Sequence, residues 1–547
     1  MSHSDAAVAP LFLIGFMAAG KTSVGRAIAA ASGRRFVDLD AVIAEAGVPV
    51  AALVARDESE FRKREAAALA AVIAGLPEIV IGGVPGGVII ATGGGAAAYG
   101  DNLTRMRAAG LVVALGVDVA ESERRAADEQ AATASAARPL LASAQLLAAQ
   151  RAPVYRRAHA VVETTGRSIA EVADDVRAVE RAWRAAPHPG VTIVALGDRS
   201  YPVRVTERLD PAAIRDALGA PSRLAVISDT TVAKHWLGAL GALAPGADIE
   251  VITIAPGEAS KSFASYEQIA NRLVAAGLDR GSAIVALGGG VVGDLAGFVA
   301  ATLFRGLPIV QVPTTIVAMT DAAIGGKTAV DLPAGKNLVG AFWQPRLVAC
   351  GLETLVTLPA RERRAGFGEL WKYALLDGHE LWSSVATCAG WAAGPDATPA
   401  PSELWTVIAR AIAFKAAIVG RDERELTGHR ALLNLGHTVG HAIESSTGLL
   451  HGEAVGLGLV AACRISAQIA GTRRDLEHEV AAALRTSGLP GELDPYLTDD
   501  VLTRLAVDKK RFGANLRFIV VREVGLCEVV ELAVTELRRI LRPGTAA

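Results

Sequence analysis

Two stretches of this sequence hold residue types at spacings that can do chemistry. The first, Gly15-Phe-Met-Ala-Ala-Gly20-Lys21-Thr22, has the form G-x4-G-K-[ST]. Such a loop turns successive backbone N–H groups and a helix N-terminus toward phosphate oxygens. Lys21 then reaches the β and γ groups of a nucleotide, and Thr22 offers an oxygen to Mg²⁺. The second stretch is Asn434-Leu-Gly-His437-Thr-Val-Gly-His441, followed by Leu450-His451-Gly-Glu453. Imidazoles four residues apart share one helical face. A third histidine close by favours a metal site over isolated structural histidines. No glutamate follows His437, which excludes the zincin pattern. With no cysteine near, oxygen must complete the shell.

A shorter signal lies in the lysines. They stand only at 21, 63, 234, 261, 327, 336, 372, 415, 509 and 510, in a chain with 55 basic residues in all. Where arginine is the default cation, a lysine suggests that a compact ammonium is wanted. Lys261, Lys327 and Lys336 fall in loops beside glycines, in Pro256-Gly-Glu258-Ala-Ser-Lys261, Gly325-Gly-Lys327-Thr and Gly335-Lys336-Asn337.

These residues need elements to position them. The strand-like LFLIG at 11–15 feeds the first glycine loop, a helix follows at 21–32, and apolar runs recur at 36–39, 88–91 and 111–115. Alternation of this kind implies a parallel α/β sheet. Phe36-Val-Asp38-Leu-Asp40 reads as a strand end with both carboxylates on one face, at the carboxyl edge where α/β ligands bind. The polar RAWRAAPHPG at 181–190 marks a break, after which LAVIS, IEVITI, AIVAL and IVQVP form a second α/β series. Gly288-Gly-Gly290-Val-Val-Gly293-Asp294 is a strand-to-helix turn fit for a pyrophosphate. Beyond about 355 helical periodicity dominates. The expected domains are 1–182, a linker at 183–190, an α/β domain at 191–355 and an all-helical domain at 356–547.

At 547 residues the chain exceeds one hydrophobic core. A formal net charge of −2 gives no chain-wide footprint for nucleic acid. Four cysteines without paired spacing fit a reducing compartment, and the short apolar N-terminal run suits a first strand better than a membrane span. A cytoplasmic enzyme of small molecules is expected, with no nucleic-acid or membrane partner.

After the glycine loop come Asp38 and Asp40, Glu60-Phe-Arg62-Lys-Arg-Glu65, Thr92-Gly93-Gly94-Gly95, Arg138-Pro139 and Arg151-Ala-Pro153-Val-Tyr155. In this order they resemble shikimate kinase over about residues 10–180. The resemblance implies ATP-dependent phosphorylation of the shikimate 3-hydroxyl. ATP would rest on Gly15, Ala18, Ala19, Gly20, Lys21, Thr22 and Ser23, with Arg138 as a lid arginine and Arg167 near adenine. It gives Mg²⁺ to Thr22 and Asp38, and shikimate to Asp40, Arg62, Gly94, Gly95 and Arg151. Lys21 and Asp40 would be catalytic, Asp40 taking the proton of the attacking hydroxyl. Ala18 stands where the family often has glycine, and the lid stretch is longer and less basic than usual. Another small-metabolite kinase, such as a gluconate kinase, is the alternative.

The second half, with GGGVVGDLAGFVAAT, QVPTT, GGKTAVD, GKNLVGAFWQP, GELWK, GHTVGHAIE, HGEAVGLG and DKK in one order, resembles 3-dehydroquinate synthase across about residues 190–545. The resemblance implies conversion of 3-deoxy-D-arabino-heptulosonate 7-phosphate to 3-dehydroquinate and phosphate, with NAD⁺ and Zn²⁺ (or Co²⁺). Glu369, His437 and His451 would ligate the metal. Glu258, Lys261, Gly290, Gly293, Asp294, Thr314, Thr315, Lys327, Lys336, Thr354 and Thr357 would hold NAD⁺. Lys327, Lys372, Lys415, Asn434 and His441 would be catalytic, and Arg305, Arg430 and Lys510 would bind substrate. The implied reaction oxidises a ring hydroxyl to make a neighbouring proton acidic, eliminates phosphate, and returns the hydride. A hinge near 355 and a homodimer through this half are expected. A metal-dependent polyol dehydrogenase, a cyclase of another sugar phosphate and a non-enzymatic scaffold are the alternatives. The two implied steps are not adjacent in the shikimate pathway, so direct channelling does not follow.

Overall fold

The computed structural model describes residues 9–44, 53–54, 56–76, 80–81, 84–85, 87–133, 144–188, 190–241, 243, 249–395, 398–507 and 515–542. The chain divides into two compact units, Met1–Pro202 and Val203–Ala547. The helix Ile169–Ala185 runs into the polar break, starting from a capping box in which Ser168 and Glu171 exchange hydrogen bonds. Val191, Ile193 and Ala195 then join the apolar core of the first unit.

In the first unit, five parallel strands take the order Phe36–Asp38, Ile89–Ala91, Leu11–Gly15, Leu111–Gly116, Ala160–Glu163. Leu11–Gly15 is buried along its whole length, as a central parallel strand covered by helices must be. At its carboxyl end the chain turns into the helix Lys21–Ser32. The sheet thus delivers the glycine loop, Asp38 and the Thr92–Gly95 turn to one edge.

The second unit opens on a parallel sheet in the order Ile249–Ile254, Leu224–Asp229, Ala283–Gly288, Ile309–Pro313, Leu347–Gly351, Tyr201–Thr206. Its glycine turn leads into the helix Gly290–Thr302. An antiparallel pair, Lys327–Leu332 with Gly335–Phe342, follows the sheet's fourth carboxyl end. The remainder is built on helices, among them Ala360–Asp377, Glu403–Arg421, His437–Thr447 and His451–Ile469. It is not helical throughout, because Asn515–Glu523 and Leu526–Ala533 pair antiparallel before the last helix, Val534–Leu541. No helix among the described residues is long and apolar enough to cross a membrane.

Candidate functional site

The glycine loop of the first unit is closed by its own lysine. Lys21 Nζ donates to the carbonyls of Gly15 and Phe16 at 3.0 and 2.8 Å, so the ammonium is held over the loop. Gly15 is obligatory: its φ is 137°, and a Cβ there would lie 2.5 Å from the Leu115 carbonyl oxygen. Ala18 takes φ 52°, the left-handed region that its family counterpart's glycine would enter freely. Ala19 is buried and Ser23 exposed on the first helical turn. Thr22 Oγ1 donates to Asp38 Oδ2 at 3.0 Å, which places the hydroxyl and carboxylate suited to Mg²⁺ side by side.

One expectation is corrected here. Asp38 and Asp40 do not share a strand face, because the strand stops at Asp38 and a helix, Leu39–Ala44, begins at once. Asp38 Oδ1 accepts the Asp40 N–H at 3.2 Å, so the first carboxylate caps the turn that carries the second.

The acceptor residues converge all the same. A Cβ on Gly93 would meet Glu65 Oε1 at 2.2 Å and Asp40 Oδ1 at 3.1 Å, and one on Gly95 would lie 2.4 Å from the centre of the Arg62 guanidinium. Gly94 stands against Gly15 O and Met17 N of the phosphate loop, at 3.7 and 3.4 Å from the same construction, with Arg151 Nη1 at 3.8 Å. Glu65, which sequence reasoning did not single out, is fully buried and accepts from Arg62 at 2.8 Å. Burial raises the Glu65 carboxyl above its usual range, against the pull of Arg62. Arg62 also pairs with Glu58 at 3.1 Å. Tyr155 donates to the Gly94 carbonyl at 2.5 Å. Arg167 is turned to Asp175, at 2.8 Å. Arg138 and Lys510 lie outside the described residues.

In the second unit neighbouring side chains close tightly on the glycine turn. A Cβ on Gly293 would lie 2.9 Å from Gln311 Oε1, and one on Gly290 3.3 Å from the Ala322 Cβ. Thr314 donates its N–H to Gly288 O at 3.0 Å, and Thr315 Oγ1 accepts the N–H of Ala318. Lys261, buried, lies 2.5 Å from Asp294 and also bonds Asn337. Burial pushes the Asp294 carboxyl up to about 6, partly offset by Lys261. Glu258 is 3.8 Å from Lys336. Thr354 and Thr357 spend their hydroxyls on Gly351 O and Thr354 O, and Thr357 Oγ1 accepts from Trp236 Nε1.

The structure brings the metal candidates together. The ligand nitrogens of His437, His441 and His451 lie within 4.8 Å of one another. Glu369, fully buried on the helix Ala360–Asp377, brings Oε1 to 3.3 Å from His451 Nε2 and 3.6 Å from His437 Nε2. Oε2 is 2.5 Å from the equally buried Lys372 Nζ, yet neither carboxylate oxygen nor that nitrogen meets hydrogen-bond geometry. A buried carboxylate oxygen facing two imidazole nitrogens is a donor set that fits a divalent cation. Burial, reinforced by Lys372, pushes the His437 imidazole down to about 3, which keeps it neutral and able to ligate.

Three of the cations expected to face substrate lie against carboxylates the sequence did not announce. Lys415 pairs with Asp321, Lys327 with Glu425 at 2.5 Å, and buried Arg430 lies 3.6 Å from Glu425. Arg305 and Asn434 are exposed, Arg305 with φ 68°. Asp321 lies in a π-helical turn, Ala318–Ala322, of the kind found at functional sites.

The family description "Shikimate kinase" matches residues 17–180, and the descriptions "3-dehydroquinate synthase N-terminal" and "3-dehydroquinate synthase C-terminal" match 251–365 and 366–511. The 3-dehydroquinate synthase of Caulobacter vibrioides is 45% identical over 346 residues, covering 61% of this chain and 92% of its own. The chain belongs to the 3-dehydroquinate synthase family. It carries a shikimate kinase domain ahead of the synthase, and so joins two activities of the shikimate pathway. A 2-deoxy-scyllo-inosose synthase solved with carbaglucose-6-phosphate, NAD⁺ and Co²⁺ matches at TM-score 0.56 and 27% identity, over 65% of this chain and 100% of its own. The 2-epi-5-epi-valiolone synthase of Streptomyces hygroscopicus, with NAD⁺ and Zn²⁺ bound, matches at TM-score 0.54 and 28% identity, over 62% of this chain and 95% of its own. The synthase half thus shares its fold with two synthases solved with NAD⁺ and a divalent metal.

Proposed function

We propose that the two constellations are the working centres of the two activities. In the first, the loop N–H groups, Lys21 and the Thr22–Asp38 pair hold ATP and Mg²⁺. Arg62 and Arg151 clamp the shikimate carboxylate, a planar fork against a planar acceptor. Asp40 takes the proton of the 3-hydroxyl as its oxygen bonds the γ-phosphorus and the bond to the β-bridging oxygen breaks. The supporting observation is the seating of Gly94 against Gly15 O and Met17 N, which puts the acceptor cluster beside the phosphate loop.

In the second centre, Glu369, His437 and His451 would hold the metal, with His441 alongside, and the Gly288–Asp294 turn with Lys261 and Lys336 would hold NAD⁺. When bound, these groups supply acidity to a substrate hydroxyl and a reversible acceptor for its hydride. The chain's own part is to fix the heptulosonate phosphate and stabilise the charge of departing phosphate. Lys327, Lys372, Lys415 and Arg430 provide that cationic wall. The convergence of the buried Glu369 Oε1 on His451 Nε2 and His437 Nε2, at 3.3 and 3.6 Å, carries this reading.

We place the chain's work in the cytoplasm, where free cysteines are the norm. We also infer a homodimer through the synthase half, which a monomer in light scattering would contradict. The full chain should turn over ATP with shikimate and not with gluconate. It should release phosphate from the heptulosonate phosphate without net NADH. Lys21→Met should silence only the first activity and Glu369→Gln only the second. Sustained NADH production would favour a dehydrogenase instead.

A further inference from the structure

Glu444 belongs to none of the ligand sets so far described, yet it touches two of them. It lies on the helix His437–Thr447, seven residues after His437 and therefore on the same face two turns on. Its Oε2 is 3.0 Å from His451 Nδ1, and its Oε1 accepts from Lys336 Nζ at 2.9 Å. Lys336 stands on the strand Gly335–Phe342, 108 residues away in sequence, and also lies 3.8 Å from Glu258. One side chain therefore spans from the metal centre to the antiparallel pair on the cofactor side, with only 16% of it exposed.

The chemistry of the contact fixes the imidazole. An ionised carboxylate only accepts, so Nδ1 of His451 carries the proton. In the neutral ring this leaves the lone pair on Nε2, the atom 3.3 Å from Glu369 Oε1. A carboxylate behind a ligating histidine selects its tautomer, locks its ring and raises its basicity. The second oxygen gives Glu444 a further role, because any movement of Lys336 toward a bound dinucleotide alters the hold on His451.

We propose that Glu444 is a positioning residue that prepares His451 for metal ligation and couples it, through Lys336, to dinucleotide binding. The inference rests on the metal and NAD⁺ sites proposed above. Its prediction is reciprocal: metal tightens NAD⁺ binding and NAD⁺ tightens metal binding by the same factor.

The test uses the full chain, as wild type, Glu444→Gln and Lys336→Met, with Co²⁺ and NAD⁺ as probes. Co²⁺ affinity is read by chelator competition and its geometry by visible absorption; NAD⁺ affinity is read calorimetrically with and without the metal. Glu444→Gln should bind Co²⁺ about 10- to 100-fold more weakly, with an altered absorption spectrum and an unchanged circular dichroism spectrum. Lys336→Met should bind Co²⁺ with an affinity that NAD⁺ no longer changes, having lost the mutual tightening. Should Glu444→Gln not fold, Glu444→Asp, which keeps the acceptor but withdraws it, serves the same comparison. Undiminished Co²⁺ binding by the Glu444 variant overturns this inference alone, as does full mutual tightening in Lys336→Met. Failure of the wild type to bind Co²⁺ overturns the metal-site reading and this inference with it.

Discussion

Lys415 Nζ donates both to the main-chain carbonyl of Asp321, at 2.6 Å, and to its carboxylate, at 2.5 Å. The pair ties the helix Glu403–Arg421 to the π-helical turn Ala318–Ala322. Burial drives the Lys415 ammonium down to about 8; Asp321 resists and neighbouring Arg430 adds to the fall. The cation we propose for the sugar phosphate is thus poised to lose its charge in the mildly alkaline range.

The synthase kcat/KM should therefore fall as pH rises through about 8, by roughly tenfold per unit beyond it, since this ratio reports groups of the free enzyme. Stability should move the other way. The folded pKa lies below the unfolded value, so the unfolded chain binds the proton more tightly. The cost of burying the ammonium is relieved between about 8 and 10.5. Phosphate-release kinetics across this range check the first statement. A rate that stays level from pH 7 to pH 9.5 would exclude Lys415 as the essential cation.

Gly95 gives a sharper probe of the kinase acceptor subsite than replacing an arginine does. A Cβ at that position would sit 2.4 to 2.6 Å from three atoms of the Arg62 guanidinium, so Gly95→Ala must displace the clamp. The KM for shikimate should rise about tenfold or more, on the order of 1.4 kcal/mol, while the KM for ATP changes little. Steady-state kinetics with each substrate varied in turn separate the two. An equal rise in both would mean that the glycine turn serves the nucleotide instead.

These sites were unequally legible in the sequence. The phosphate loop could be read outright, because a cradle of N–H groups is a local backbone conformation and its glycines, Lys21 and Thr22 are adjacent in the chain. Asp38 and Asp40 were misread as one strand face because a two-residue period says nothing of where a strand ends, and here a helix begins one residue after Asp38. The partners Asp321, Glu425 and Glu444 were not legible at all. They meet Lys415, Lys327 and Lys336 across 94, 98 and 108 residues of chain, and only the tertiary fold sets such pairings. The lysines themselves were visible as rare compact cations, whereas their counter-charges lay hidden among ordinary acidic residues.

Ala18 holds a left-handed φ of 52° in the phosphate loop, a position that costs a non-glycine residue on the order of 1 kcal/mol. Ala18→Gly removes that strain but adds freedom to the unfolded chain. Its net effect should lie within about 1 kcal/mol of neutral, with ATP affinity retained. Ala18→Val, β-branched and strained further, should weaken both stability and ATP binding. Calorimetric unfolding with and without nucleotide distinguishes them. Tolerance of valine would show that the loop relaxes out of this conformation.

His159 makes the first unit sensitive to acid for a reason independent of catalysis. It is 1% exposed, and its Nδ1 accepts the Val112 N–H at 3.0 Å, while its main-chain N–H donates to Val112 O at 2.9 Å. The ring must be neutral to accept. Burial, with Arg107 adding repulsion, pushes its pKa down to about 2 from the ordinary 6.5. The folded pKa is depressed, so below 6.5 the unfolded chain takes up a proton that the folded chain refuses, and stability falls with pH. At 1.36 kcal/mol per unit, the step from pH 7 to pH 5 should cost the first unit about 2 kcal/mol through this residue alone. His159→Asn keeps a neutral acceptor for the Val112 N–H but loses the ring packed near Trp183, so it should be less stable at pH 7 yet lose less further stability on acidification. Urea unfolding of the full chain at pH 5, 6 and 7 measures the slope, and an unchanged slope in the variant would place the acid sensitivity elsewhere.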